Sequence, residues 1–351
     1  MNTKYFFYAL IASAAVLAGC ESPVQVNETA TPIVAIAETQ PVESSDDAAD
    51  DPAIWVHPEN PEASLILGTD KRSGLGVYSL EGELVQFLNR GRLNNVDIRQ
   101  NVPTNQGVMD IIVATNRTHI ALDIFSIDNR GEVHLLLSQP LDTVDPYGVC
   151  MGLDNDGNAY AYTNDSETSE YQQWRLNPEG ELSPELVGSW QLNSQPEGCA
   201  VHDASQTLYF GEENYGLWKM PANANRADEM LLIEPVGNGQ LVADIEGMDI
   251  YEKGTTRWLV VSSQGDYSYA VYDLNNNDAY LGSFRVVDNL ELGVDGSEET
   301  DGLTLSAAYL GEKYSLGMLV VQDGFNRLPN DNQNFKMIPW ESIIGAFGTS
   351  Q

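Results

Sequence analysis

Six short segments of the chain share one pattern, a polar start followed by alternating apolar positions. They are "DPAIWV" from Asp51, "NVDIRQ" from Asn95, "YGVCMG" from Tyr147, "EGCAVH" from Glu197, "EGMDIY" from Glu246 and "DGLTLS" from Asp301. Their first residues stand 44, 52, 50, 49 and 55 positions apart. Each is followed by a β-type apolar run with a polar end: "LILGTD" to Asp70, "IIVATN" to Asn116, "AYAYTN" to Asn164, "LYFGEE" to Glu213, "LVVSSQ" to Gln264 and "MLVVQD" to Asp323. A third run carries an aromatic with an apolar residue two positions on, as in Tyr78/Leu80, Phe125/Ile127, Trp174/Leu176, Trp218/Met220, Tyr272/Leu274 and Phe335/Met337. That spacing puts both on one face of a strand. A fourth strand follows in the first five repeats, as in "ELVQFL" at 83–88, but after "FKMIPW" only "ESIIGAFGTSQ" remains.

Four strands at a period near fifty residues mark a β-propeller blade. The pattern predicts an all-β, six-bladed propeller of four-stranded antiparallel blades over residues 45–347. The sixth repeat lacks its outer strand, and a ring must close. The strand-like run "PIVAIA", residues 32–37, is the expected donor, completing the last blade from the N-terminal side. It lies in a segment, 20–44, whose Pro, Thr, Ser and acidic residues otherwise read as a tether.

Upstream, Lys4 precedes an apolar stretch from Tyr5 to Val16, too short to cross a ~30 Å hydrocarbon core as a helix. Residues 1–19 read as a signal peptide. Its ending "LAGC" resembles the lipobox of bacterial lipoproteins, which implies lipidation at Cys20 and export to the bacterial envelope with a lipid anchor as the membrane contact. Glu21, where an aspartate is linked to inner-membrane retention, favours the outer membrane.

Composition narrows the function. With 42% hydrophobic residues and 20% charged, the 351-residue chain is globular. It carries 17 Lys and Arg against 52 Asp and Glu, a net charge of −35, which excludes nucleic acid as a partner because phosphate backbones are gripped by clustered cations. Cys150 and Cys199 admit either a disulfide in an oxidising compartment or two buried thiols, and spacing does not decide between them.

In a propeller the first strand of each blade lines the channel, and the loop from second to third strand opens on the same face. The polar starts and polar ends should therefore meet at one mouth: Asp50, Asp51, Asp97, Glu197, Glu213, Asp244, Glu246, Asp301 and Asp323, with Asn95, Asn116, Gln264 and Asn326. So many carboxylates repel one another unless cations sit among them. An oxygen-only set points to several Ca²⁺ ions. Asp-Gly and Glu-Gly pairs also make turns, which accounts for one or two positions of a six-fold ring. Lys71 and Arg72 follow Asp70 at this mouth, and Arg117 follows Asn116 one repeat on; three cations beside an acidic, metal-holding ring suit a strongly anionic ligand such as phosphate. "LDNDGNAY" at 153–160 has the start of a calcium loop but Asp165 in place of the final glutamate, and reads as a hairpin turn.

The motifs "DDPAIWVHPENP", "KRSGLGVYSLEGE", "GRLNNVDIR", "NSQPEGCA", "DIEGMDIY", "SSQGDYSYAVY", "ETDGL" and "NQNFKMIPW" resemble those of the β-propeller phytases, the Ca²⁺-dependent alkaline phytases of bacteria, from about residue 45 to 342. The resemblance implies release of phosphate from myo-inositol hexakisphosphate (phytate), or another anionic phosphate ester, by a 3-phytase. It implies a calcium and water network of Asp51, Asn95, Asp97, Glu197, Glu213, Asp244, Glu246, Gln264, Asp295, Asp301, Asp323 and Asn326. It also implies phosphate contacts from Lys71, Arg72, Arg117 and Tyr147. Where the family commonly offers a lysine in the third repeat, this chain has Asn164, Asp165 and Ser166, a departure that bears on phytate against simpler esters.

The expected mechanism has two or more Ca²⁺ ions bridging a phosphate oxygen and an attacking water. Glu197 and Glu213 are the catalytic carboxylates, and Lys71, Arg72 and Arg117 offset phosphoryl charge. A non-catalytic calcium-binding propeller lipoprotein and a sugar-lactone hydrolase are the rival readings, and neither needs the basic trio. The chain is expected to act as a monomer.

Overall fold

The structure, a computed structural model, describes residues 24–348; the expected signal peptide and Cys20 lie outside the described residues. Two short strands, β1 (Thr31–Val34) and β2 (Ala37–Glu38), precede the first blade. Blade one is β3 (Ala49–Trp55), β4 (Leu65–Asp70), β5 (Gly74–Ser79) and β6 (Leu84–Asn89). Blade two is β7 (Leu93–Thr104), β8 (Gly107–Asn116), β9 (Ala121–Ile127) and β10 (Val133–Pro140). Blade three is β11 (Pro146–Leu153), β12 (Ala159–Asp165), β13 (Glu170–Arg175) and β14 (Glu185–Gln191). Blade four is β15 (Pro196–His202), β16 (Thr207–Glu212), β17 (Gly216–Pro221) and β18 (Leu231–Pro235). Blade five is β19 (Ile245–Lys253), β20 (Thr256–Ser263), β21 (Ser268–Asp273) and β22 (Ala279–Val287). Blade six holds β23 (Leu303–Ser306), β24 (Met318–Asp323) and β25 (Asn334–Pro339), followed by helix α1 (Trp340–Phe347).

The predicted strand "PIVAIA" is shared between two blades. Thr31–Val34 runs parallel to Phe284–Val287 as a fifth strand on blade five, and only Ala37–Glu38 pairs with β25 to complete blade six. Val42 continues into the core between blades six and one, so the segment read as a tether is packed from its strands onward.

Each blade is buried on both faces, which is why the inner strands read as near-continuous apolar runs. Six apolar clusters occupy the gaps between neighbouring blades. One joins Ala53, Trp55 and Leu67 of blade one to Val96, Ile112 and Phe125 of blade two. Another closes the ring by joining Ile54, Ile66 and Tyr78 of blade one to Met318, Val320 and Phe335 of blade six. The third-strand aromatics Tyr78, Phe125, Trp174, Tyr272 and Phe335 are buried there. The turn at 153–160 carries no ligand cage: Asp154 accepts from the backbone of Asp156 and Asn158, which makes it the hairpin between β11 and β12. Cys150 of β11 and Cys199 of β15 form a disulfide between the innermost strands of blades three and four.

Candidate active site

Five innermost strands carry the same irregularity near their start. Register slips between Ala49 and Pro52, Leu93 and Val96, Pro146 and Val149, Pro196 and Cys199, and Ile245 and Met248. Such a bulge leaves residues out of the ladder and re-aims their side chains. The bulged pairs are Asp50–Asp51, Asn94–Asn95, Tyr147–Gly148, Glu197–Gly198 and Glu246–Gly247. Asp301–Gly302 stands beside them, with Gly302 N–H donating to Asp50 O at 3.1 Å and Gly247 N–H to Asp301 O at 2.7 Å. The glycines let adjacent blades touch: a Cβ on Gly148 would lie 2.1 Å from Glu197 O, and one on Gly302 2.3 Å from Asp51 Oδ1.

The first member of each pair lines the channel mouth. Asn94 Nδ2 reaches Asp50 Oδ2 at 3.1 Å and Glu197 Oε1 at 3.2 Å. Glu197, Glu213 and Glu246 bring one oxygen each within 4.8 Å of one another, all three buried. Tyr147 stands beside Glu197, whose charge acts most strongly on its phenol.

A second tier comes from the loops after the second strands. There the terminal polar residue caps its own turn: Asp70 accepts from Arg72 N at 3.0 Å, Asn116 from the amides of Thr118 and His119 at 3.0 Å, and Asp165 from those of Glu167 and Thr168 at 2.8 Å. The next residue in each loop, Lys71, Arg117, Ser166, Glu213 or Gln264, belongs to the mouth. Lys71 Nζ lies 2.7 Å from Asp47, 3.2 Å from Asp50 and 2.7 Å from Asp301. Gln264 Nε2 donates to Asp301 Oδ1 at 2.7 Å. Arg117 forks onto Asp145, with Nη1 on Asn94 Oδ1 at 3.0 Å.

Other expected residues go elsewhere. Asp51 and Asp97 tie blades together, accepting from Val96 N at 3.0 Å and Met151 N at 2.7 Å, and Asp97 also pairs with Arg99 further down the channel. Asn95, Asp51, Asp97 and Arg99 line a cavity of about 30 Å³ there. Asn116 is a turn cap. Arg72 is half exposed, its Nε on Asp47 O at 3.0 Å. Asp244 is half-buried beside Asn214, with Glu213 as its charged neighbour. Asp295 and Asp323 gather, with Glu38, around the fully buried ammonium of Lys336. Asn326 Nδ2 donates to Asn332 O at 2.9 Å, beside a rim recess of about 730 Å³ that Gln264 and Asp301 also line.

Pattern reading missed Asn94, Asp145 and Lys336. Aligning the glycines of the last four repeats with Asp51 and Asn95 would have found Asn94, since the pairs then read DD, NN, YG, EG, EG and DG. Asp145 lies in the loop before β11, and Lys336 fills the position between Phe335 and Met337 that holds Ser79, Ser126, Arg175, Lys219 and Asp273 in the other repeats, so nothing in the pattern marks either.

Burial drives the electrostatics. It pushes the Glu213 carboxyl up to about 8, with the charges of Glu197 and Asp244 adding to it. Asp301 is raised by burial to about 7 and Asp50 to about 6, even though Lys71 pulls both down. Glu246 is held well above the usual carboxylate range by burial and then Glu197. Lys71 is opposed by burial, but Asp50, Asp301 and Asp47 outweigh it and hold the ammonium firmly protonated. The charge of Glu197, then burial, raises the Tyr147 phenol, which stays neutral.

The family model described as Phytase matches residues 6–351. The chain belongs to the phytase family. The 3-phytase of Bacillus subtilis (strain 168) is 35% identical over 329 residues, covering 90% of this chain and 85% of its own. A solved protein of unknown function from Desulfotomaculum acetoxidans DSM 771 is 13% identical and covers 66% of this chain and 70% of its own, at a TM-score of 0.47, too low to carry an argument.

In this phytase-family chain the buried trio fits a hard divalent cation. Its donors are all oxygens, Glu246 Oε2 has no hydrogen-bond partner, and no ion pair reaches Glu197, Glu213 or Glu246 among the described residues. Three clustered carboxylates without a cation must share protons, which is what their raised proton affinity expresses.

Proposed function

We propose that this phytase-family enzyme releases orthophosphate from phytate in a calcium-dependent reaction at the channel mouth. The observation that carries this reading is a juxtaposition of charge: Lys71, on Asp50 and Asp301, and Arg117, on Asn94, stand around a buried three-carboxylate cluster that no ion pair reaches among the described residues. An anion seat next to a cation seat suits a phosphoryl group and rules against a neutral lactone. Glu197, Glu213 and Glu246 would hold calcium, with Asp50 and Asp301 beside them. Bound calcium would supply electrostatic stabilisation of the phosphoryl oxygens.

The chain's own groups do the remainder. Arg117 and Lys71 offset charge on the non-bridging oxygens as it redistributes. Tyr147 stays protonated beside Glu197. Gln195 Nε2 fixes Glu213 Oε1 at 2.6 Å, and this carboxylate, once ionised, is placed to take a proton from water. No side chain serves as a covalent nucleophile in this scheme.

A second substrate reading, simpler phosphate monoesters, is favoured by the third blade, where Ser166 stands in the place of Lys71 and Arg117 and Asp165 is committed to capping. We propose further that the protein is exported and anchored through Cys20 at the outer membrane. The Cys150–Cys199 disulfide supports an oxidising compartment. One chain closes the ring and supplies both tiers, which supports a monomer.

The test is orthophosphate release by the purified protein from phytate and from a monophosphate ester, with calcium and with a chelator. Release that requires calcium is expected. Release that persists in chelator overturns the calcium requirement, and no release from either substrate overturns the activity.

A further inference from the structure

A guanidinium has five N–H donors. In Arg117 three are engaged: Nε donates to Asp145 Oδ1 at 2.9 Å, Nη2 to Asp145 Oδ2 at 2.5 Å and Nη1 to Asn94 Oδ1 at 3.0 Å. Two N–H groups remain without a partner among the described residues, one on each terminal nitrogen. Both are free to donate to oxyanion oxygens. The guanidinium also lies over the Tyr147 ring, 5.2 Å from its centroid.

Asp145 is itself clamped. Ser166 Oγ donates to Asp145 Oδ2 at 2.7 Å, and Ser166 N–H donates to Asp145 O at 3.2 Å. The loop before it is gathered on the buried Asp165, whose Oδ2 accepts from Val144 N at 2.6 Å, from Asp145 N at 3.1 Å and from the Thr143 hydroxyl. Ser166 thus occupies the tier position of Lys71 and Arg117 in blade three, and its hydroxyl serves its neighbour's arginine instead of the ligand.

We infer that Asp145, clamped by Ser166 and the Asp165 turn, is a positioning residue for phosphate: it holds one edge of Arg117 and turns the other towards a single phosphoryl group. A long cationic side chain otherwise loses rotamer freedom on binding, and a clamped one has already lost it. The inference rests on the reading of Arg117 as the phosphate contact. It assigns the third blade a supporting part and gives the site one arginine fork, not two.

The experiment measures inhibition by orthophosphate, the KM for a phosphate ester and the calcium-induced rise in Tm for Asp145→Asn, Ser166→Ala, Arg117→Lys and the Asp145→Asn/Arg117→Lys double variant. Asp145→Asn keeps one acceptor oxygen and loses the other with its charge. Expected is a rise in both KM and the orthophosphate inhibition constant of roughly tenfold, as for loss of one charge-assisted hydrogen bond. Ser166→Ala should give about a twofold to threefold rise, at the scale of a weakened neutral bond. The calcium-induced rise in Tm should be kept in each. Lysine has no edge to orient, so Asp145→Asn should add nothing in the Arg117→Lys background. An unchanged or lowered inhibition constant in Asp145→Asn, or an effect that adds fully to Arg117→Lys, overturns the positioning role. If Arg117→Lys itself leaves the inhibition constant unchanged, the phosphate reading of Arg117 has failed as well.

Discussion

Lys71 and Asp301 stand 230 positions apart in the chain and 2.7 Å apart in space, where the first blade meets the last. The ammonium also touches Asp50 and Asp47, so one lysine compensates carboxylates from both ends of the ring.

Replacing it with an apolar side chain of similar length should be severe for catalysis. Lys71→Met removes the group that pulls Asp50 and Asp301 down, and both, already at about 6 and about 7, would bind protons at neutral pH. A fall in kcat/KM of about 100-fold or more is expected from the lost phosphoryl contact alone. Steady-state kinetics decide it, and a rate within about threefold of wild type would remove Lys71 from the site.

Glu246→Gln should have opposite effects with and without calcium. Its Oε2 is buried and unpartnered and its neighbours are carboxylates, so in chelator at alkaline pH, where the trio ionises, the neutral amide relieves repulsion and Tm should rise. With calcium present, loss of a ligand should reduce the stabilisation to a fraction of the wild-type value. Differential scanning calorimetry in both conditions tests this; a variant that loses stability in chelator and keeps the full calcium response would contradict it.

The pH dependence follows from the same groups. Glu213 rises from 4.5 to about 8 and Asp301 from 3.8 to about 7, so the folded, metal-free protein binds protons more tightly than the unfolded chain. The stability this confers is complete below the unfolded carboxylate range and is lost as pH rises through about 7 to 8. Calcium needs the ionised carboxylates, so its stabilising effect should grow over the same window. The calcium-induced rise in Tm is expected to be larger at pH 8 than at pH 5; the reverse order would count against these assignments.

The disulfide closes a loop with a sequence separation of 49, for which chain entropy predicts about 4 kcal/mol. The double replacement Cys150→Ala/Cys199→Ala should lower Tm by roughly 5 °C in a domain of this size. Thermal melts of oxidised, reduced and doubly substituted protein give the comparison, and a reduced protein as stable as the oxidised one would refute the estimate.

Much of this molecule was legible from residue order. The blade count came from a six-fold phase of apolar runs, and the structure keeps it in every blade. The acidic character of the mouth was legible too, from the polar starts of the innermost strands, and so were Lys71 and Arg117, which stand one residue beyond the second strands of the first two blades. What escaped was the side-chain aim within each pair. In "DD" and "NN" both residues are polar, and only the bulge, with glycine in the equivalent place of the other repeats, decides that Asp50 and Asn94 face the mouth while Asp51 points to the strand beside it. The gathering of Asp295 and Asp323 around Lys336 was not legible either, because that lysine is one alternating position in an ordinary strand.

By itself the sequence determined a closed ring of six four-stranded blades with an acidic mouth, because strand period, turn residues and repeat length are local properties that each segment carries alone. The tertiary structure decided the partners: Lys71 with Asp301, Arg117 with Asp145, and "PIVAIA" divided between blades five and six. Those choices depend on bulges that shift a side chain by one position and on ring closure between distant segments, and neither leaves a period in the chain.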